Sequence, residues 1–397
     1  MLQIFKSLFE TKRSATAPVI AFQQAGRAQW APRNYGTLAK DGFTANAVGY
    51  RCVRMIAEAA ASVPWLLYGD GKEIDAHPLL ALLSHPQPQA SGHEIMEALY
   101  GFLEVSGNAY LEAVTVDGTP RELHALRPDR IRPIASNDGW PSAYEYSVGG
   151  ASVRLPREAV LHVRLFHPLN DHYGLSPLEA AGRAIDTHNA ASAWAKSMLD
   201  NSARPCGALV ITSPEGLTGD QHERMKRELH DTFQGALNAG RPLVLEGGLE
   251  WKQMSHSPKD MDFIETKNAA AREVALAFGV PPMLLGIPGD NTFANYAEAN
   301  RVFWRQTVLP LVARTAEALT NWLGPQFGEG LRLGFDTDAI EALSVEREAL
   351  WARVGAAEFL TREEKRAAVG YGEGELPIRT MSSHASPCHE KFVLTPY

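Results

Sequence analysis

The chain has 397 residues, 45% of them hydrophobic and 21% charged, with 38 Lys and Arg against 46 Asp and Glu for a formal net charge of −8. That length holds two or three domains, and no apolar run approaches the ~20 residues of a bilayer span, which excludes a helical membrane protein. The acidic balance argues against a protein that grips nucleic acid through counterion release, yet it suits one that lets a polyanion slide past an unattractive wall.

Residues 1–43 are rich in Ala, Gln, Pro and Gly without periodicity and read as a flexible arm. Met1–Phe9 carries Lys6 and no long apolar run, so no secretory leader is expected. Over the first ~55 residues Lys6, Lys12, Arg13, Arg27, Arg33, Lys40, Arg51 and Arg54 stand against Glu10 and Asp41, a basic surface that is either a solvated arm or a stretch that touches DNA. Cys52, Cys206 and Cys388 are far apart and form no motif, so a disulfide framework is not expected and a reducing compartment is.

Structure is expected from about Thr44. Val48, Cys52, Val53, Ile56, Ala59 and Ala60 share one face of a helix over Ala45–Ala61, which Val63-Pro64 ends. Trp65–Tyr68 reads as a strand. Ser91-Gly92-His93-Glu94 is a capping box for a helix to about Val105, and Asn108–Val116 is a strand turning at Asp117-Gly118. Short strands at Glu122–Leu126, Ile131–Ile134, Ala143–Val148, Val153–Leu155 and Val160–Leu165 complete an α+β domain with a meandering sheet.

Ser176-Pro177-Leu178-Glu179 sets a cap, a proline and an acid in the order a helix start needs. The alanine-rich helix that follows places Leu178, Ala181, Ile185, His188, Ser192, Ala195 and Leu199 on one seam, either an ordinary core face or a contact between neighbouring subunits. A β–α–β module follows: strand Gly207–Ile211, a helix capped by Thr218 and Gln221, and a hairpin of Pro242–Leu245 with Glu250–Met254. Ser257-Pro258-Lys259-Asp260 repeats the helix start, and Gly279 with Val280-Pro281-Pro282 stops the helix. Two long helices therefore carry a small module at their far end.

A Gly/Pro-rich loop with a polar tip comes next, Met283–Thr292, and helical periodicity returns from Phe293 to Trp322 with a kink expected at Pro310. Leu331–Asp336 is a strand, Ser344–Ala357 a helix, and Thr361 with Glu364 caps a last helix near Val369. Residues beyond Gly372 read as a tail.

Motif chemistry is sparse. There is no phosphate loop, nucleophile elbow or His-Glu-x-x-His pair, and Gly328, Gly330 and Gly334 flank a strand rather than joining strand to helix. His162, His167 and His172 invite a metal-dependent hydrolase reading, although a spacing of five matches neither a helix face nor a zinc-ligand pair. On the module helix, Glu223 and Arg227 stand at i,i+4 beside His222 and Lys226.

In this order the parts resemble the phage portal protein family, the head-to-tail connectors of tailed phages and gene transfer agents. The residues that carry the resemblance are Ser106-Gly107-Asn108-Ala109-Tyr110, Leu126-Arg127-Pro128-Asp129-Arg130, Gly174-Leu175-Ser176-Pro177-Leu178, Ser257–Phe263, Phe278-Gly279-Val280-Pro281-Pro282 with Leu285-Gly286, and Phe303-Trp304 with Leu309-Pro310. The resemblance implies an α+β ring subunit with an α/β wing, a two-helix stem, a β–α–β clip and a helical crown. In its terms residues 44–175 are the wing, 176–204 and 257–280 the stem helices, 205–256 the clip, 281–296 a tunnel loop, 297–336 the wing helix and strand, 337–371 the crown, and 372–397 a flexible tail.

It further implies a homododecamer at one capsid vertex of a virion or gene transfer agent particle, assembled in the bacterial cytoplasm, without enzymatic activity, cofactor, metal or membrane. The implied partners are double-stranded DNA in a central channel, the terminase large subunit, a head-tail adaptor and the major capsid protein. Gly286, Pro288, Gly289, Asp290, Asn291, Thr292 and Asn295 would face DNA with short polar side chains. Leu178, Ala181, Ile185, Ala195 and Leu199 would form stem contacts between subunits, and His222, Glu223, Lys226 and Arg227 would dock the motor. Two alternatives stand beside it: a monomeric capsid-associated adaptor and the metal-dependent hydrolase.

Overall fold

The computed structural model describes residues 30–136, 140–200, 207–211, 220, 223–224, 227, 249–253, 263–288 and 293–370. At its centre two helices, Ala47–Ala61 and Gly92–Ser106, pack together. In the first, Asn46 accepts hydrogen bonds from the Val48 and Gly49 amides, and Cys52, Val53, Ile56, Ala57 and Ala60 turn inward at three- and four-residue steps. The second opens with the expected capping box, Ser91 Oγ accepting from the Glu94 amide while the Glu94 carboxylate accepts from the Ser91 amide. It closes at Gly107, whose φ of 73° lies in the left-handed region. Its buried stripe is Ile95, Met96, Leu99, Tyr100 and Leu103, and each such aliphatic side chain contributes about 1.5–3 kcal/mol by leaving water.

Strand β1 (Trp65–Gly69) lies between β2 (Lys72–Glu73) and β11 (Leu331–Phe335), with Trp65 opposite Phe335, so the two ends of the domain meet in one antiparallel sheet. In a second sheet β3 (Asn108–Val116) runs between β4 (Thr119–Leu126) and β8 (Val160–Arg164). The third is a meander of β5 (Ile131–Ala135), β6 (Pro141–Val148) and β7 (Ala151–Pro156). The single sheet expected from sequence is thus two, joined by a small core of Tyr110, Leu126, Ile131, Tyr144 and Val160. Pro133 in the edge strand β5 is consistent with the division, since it cannot donate to a further ladder on that side.

A two-stranded sheet pairs β9 (Gly207–Ile211) antiparallel with β10 (Leu249–Gln253), Gly207 opposite Gln253. Glu250–Met254 was expected to pair with Pro242–Leu245, a segment outside the described residues.

Packed structure begins earlier than Thr44. Asn34 caps a helical turn at Tyr35–Thr37, which widens into a π-helical stretch at Leu38–Thr44 with Leu38 buried. Residues 30–43 are therefore part of the folded body, correcting that portion of the expected flexible arm; residues 1–29 lie outside the described set. The helix Pro78–Ser84, capped by His77 Nδ1, was also absent from the sequence reading.

The long C-terminal helix is broken where Pro310 predicts. Phe293–Phe303 passes into a π-helical segment, Trp304–Val308, before Leu309–Phe327 resumes. Pro310 has no N–H for the Gln306 carbonyl and its ring crowds that turn, so the backbone widens and the Leu309 amide bonds back to Trp304 O. Helices Ser344–Ala356 and Arg362–Ala368 follow, the latter with the expected Thr361–Glu364 capping box.

Candidate functional site

Two helices, Gly182–Asp200 and Phe263–Ala277, lie side by side; the expected start of the second at Ser257–Asp260 lies outside the described residues. Ser176 Oγ accepts from the Glu179 amide at 2.9 Å to begin a short turn, Pro177–Ala180, which leads into the first. Small side chains let the pair approach: Ala184, Ile185, His188 and Ala191 are buried on one, Ala270, Ala271, Val274 and Ala275 on the other. Further along, the rings of Trp194 and Phe263 stack at 3.7 Å with an 18° interplanar angle.

The 30–46 segment straps the first helix to the body. Asp186 Oδ2 accepts from the Arg33 guanidinium and from the Ala31 amide, both at 3.1 Å. Asn46 Nδ2 donates to Asn189 Oδ1 at 2.9 Å and lies 3.2 Å from His188 Nδ1, while Asn189 Nδ2 donates to the Asp41 carbonyl at 2.9 Å. Burial, with help from Lys267, lowers the His188 pKa and keeps the ring neutral, as an acceptor nitrogen facing Asn46 requires.

Three of the expected subunit contacts pack within the chain itself. Leu178, Ala181 and Ile185 are 0%, 4% and 2% exposed and form part of the chain's own core. The seam at the start of the helix is a core face because the chain folds the 38–44 turn and helix Ala47–Ala61 over it. Ala195 is exposed, and the Leu199 side chain lies outside the described set.

The second helix stops at Gly279, φ 65°, and Thr307 Oγ1 donates to the Gly279 carbonyl at 2.7 Å, tying the stop to the π-helical segment. Pro282–Leu285 forms a 3₁₀ turn rather than open loop, ended by Gly286 at φ 71°. Ile287 is buried, and the Arg272 guanidinium donates to the Pro288 carbonyl. The near side of the loop is therefore anchored at three points; Gly289, Asp290, Asn291 and Thr292 lie outside the described residues. Asn295 is exposed on the helix that follows.

Glu223 and Arg227 are helical and exposed, with Arg227 Nε donating to the Glu223 carbonyl at 3.4 Å; His222 and Lys226 lie outside the described residues. The three histidines do not converge on a metal. His162 stacks on Tyr110 at 4.2 Å and its Nε2 lies 3.1 Å from Asn108 Oδ1, and burial lowers its pKa to about 3. His167 Nδ1 accepts from the Leu169 amide. Among the described residues no group of three His, Cys, Asp or Glu could hold a metal ion, and no helix is long and apolar enough to cross a membrane.

Sequence reasoning missed the joint beneath these elements. Gly107 and Gly174 meet so closely that a Cβ on Gly174 would lie 2.1 Å from the Gly107 oxygen, and Asn108 hydrogen-bonds Gly174 on both sides. Both glycines stand in the short motifs noted above, but nothing in a linear sequence says that the two motifs touch.

The family described as phage portal protein matches residues 47–370. The chain belongs to the phage portal protein family. Among relatives, a protein of Rickettsia bellii (strain RML369-C) is 44% identical over 339 residues, covering 83% of this chain and 88% of its own length. The probable portal protein of Streptomyces phage phiC31 is 26% identical over 326 residues, covering 76% and 69%. Among solved structures, the neck of an empty gene transfer agent (GTA) particle in C6 symmetry contains a chain 52% identical, with a TM-score of 0.69 and coverage of 87% of this chain and 95% of that one. The neck of the native particle in C12 symmetry gives 51%, 0.66, 87% and 96%.

Proposed function

We propose that this chain is the ring-forming portal of a GTA or phage particle, seated at one capsid vertex, through which double-stranded DNA is packaged and released. The observation that carries the reading is the likeness to the GTA neck chain, at 52% identity and TM-score 0.69 over 87% of this chain. The C12 symmetry of the native neck favours twelve subunits. In this reading the body up to β8 and the broken helix is the wing, the paired helices the stem, residues 205–256 the clip and the last helices the crown. The loop after Gly286 faces the channel, and the clip, with Glu223 and Arg227 on its helix, docks the terminase large subunit and later the head-tail adaptor.

The anchoring of the loop supports this assignment. Thr307, Arg272 and Ile287 fix its base, as an element held against a channel requires. Negative-stain images and mass photometry of the purified full chain test the ring. Rings of about twelve subunits are expected; a strictly monomeric protein across a range of salt would overturn the portal reading. Deleting residues 205–256 separates portal from monomeric adaptor: a portal keeps its rings and loses motor docking.

A further inference from the structure

The segment joining β8 to Pro177 is short of regular structure yet firmly held. At its start the Leu165 amide bonds to the Gly107 carbonyl at 2.9 Å, and at its end the Gly174 amide bonds to Asn108 Oδ1 at 2.8 Å. Within it Asn170 Oδ1 accepts from the His172 and Tyr173 amides, His167 accepts from Leu169, and the Arg164 guanidinium donates to the Asp171 carbonyl. On this fixed frame stand two apolar side chains in open solvent, Phe166 at 78% and Leu169 at 90% exposure. Apolar groups on a frame already ordered lose little entropy on docking, which is the property of a binding anchor.

We propose that this loop is a docking knob for a second copy of this chain, with Phe166 and Leu169 as its apolar anchors. The proposal rests on the ring reading above. A closed ring of identical subunits needs unlike surfaces on its two sides, so one projecting element must meet a different surface of the next copy. Charge favours the same occupant. Arg164 and Arg314 flank the knob, Arg314 donating to the Arg164 carbonyl at 3.2 Å, and neither has a carboxylate partner among the described residues. Two guanidinium groups without a carboxylate among the described residues suit the surface of a chain whose net charge is −8. The two anchors bury at most about 350 Å² of the ~800 Å² per partner usual in a stable interface, so they form the centre of a larger contact.

The test uses the full chain and a Phe166→Asp/Leu169→Asp double variant, compared by mass photometry, with circular dichroism and thermal unfolding as a check on the fold. The wild-type chain is expected to form rings, and the folded double variant to lose at least tenfold in ring population at equal concentration. Wild-type rings alongside undiminished variant rings would overturn the knob and leave the portal reading intact; absence of wild-type rings would overturn the portal reading itself. If the double variant fails to fold, a photocrosslinking residue at Leu169 in an otherwise wild-type chain decides. Adducts between copies support the proposal, and adducts only within one chain or only to another particle protein overturn it. Arg314→Glu should weaken rings several-fold, more at low salt than at high.

Discussion

Asn108 holds Gly174 by both of its backbone polar groups, Oδ1 accepting from the amide at 2.8 Å and Nδ2 facing the carbonyl at 3.4 Å, although 66 residues separate them. The same Oδ1 faces His162 Nε2, which is therefore the protonated nitrogen of a neutral ring. One carboxamide thus joins the central sheet to the segment that launches the paired helices.

Disrupting that joint should cost more than an ordinary loop change. In Gly174→Ala the new Cβ would meet the Gly107 carbonyl at 2.1 Å with backbone on both sides, so a loss of about 3 kcal/mol or more is expected. Asn108→Ala leaves Gly174 without its buried partner and should cost about 1–3 kcal/mol. Urea denaturation at neutral pH measures both; a Gly174→Ala change below about 1 kcal/mol would show that the joint can open freely.

Two buried groups bend the stability–pH profile in opposite directions, Glu104 as pH rises above about 4.5 and His162 as it falls below about 6.5. Burial raises the Glu104 pKa to about 8, and its Oε2 has no hydrogen-bond partner among the described residues. The folded state keeps a proton that the unfolded chain releases near its usual carboxylate pKa, so stability declines as pH rises from about 4.5 to 8. His162 runs the other way. Its pKa falls to about 3 in the fold, so the unfolded chain binds the extra proton and stability is lost as pH drops from 6.5 towards 3. Glu104→Gln should remove the alkaline slope and gain on the order of 3 kcal/mol at pH 9, read from thermal unfolding across pH.

At the helix stop, Gly279→Ala would force φ 65° on a residue with a Cβ and bring that atom 2.7 Å from Thr307 Oγ1. A destabilisation of about 1–3 kcal/mol is expected, with Thr307→Val losing about 1 kcal/mol through the missing bond to the Gly279 carbonyl. Hydrogen exchange should quicken first at Val280–Ile287, where the loop base is anchored. Uniform exchange across the chain would instead indicate global unfolding.

The Arg33–Asp186 pair is partly exposed, at 26% and 15% of side-chain area, so its electrostatic worth is small. Asp186→Asn should change global stability by about 1 kcal/mol or less, yet release the strap, because the same oxygen also holds the Ala31 amide. Limited proteolysis near Arg33 is the readout, and unchanged cleavage would show that Asn46 and Asn189 hold the strap alone.

Local signals in the sequence were sufficient where the structure depends on nearest neighbours. Ser91 with Glu94, Ser176 with Pro177, and Thr361 with Glu364 mark helix starts through bonds to amides three residues on, and Pro310 marks the π-helical break through a group it lacks. The early start at Tyr35 has no local signal because residues 30–44 show no amphipathic period, and their order comes from Asp186 and Asn189 on a distant helix. The stem seam shows a related limit. Periodicity says that Leu178, Ala181 and Ile185 share a face, but a face covered by the same chain and one covered by a neighbour carry the same pattern.

The order of helices, strands and stops, and with it the resemblance to portals, was determined by the sequence alone, because caps, prolines and side-chain periods act over a few residues. Tertiary structure decided which surfaces are used up and which are left over. It buries Leu178 and Ile185, leaves Phe166 and Leu169 in solvent, and brings Asn108 to Gly174. These outcomes depend on how distant segments close over one another, and closure between residues far apart in the chain has no signature in the local pattern of either.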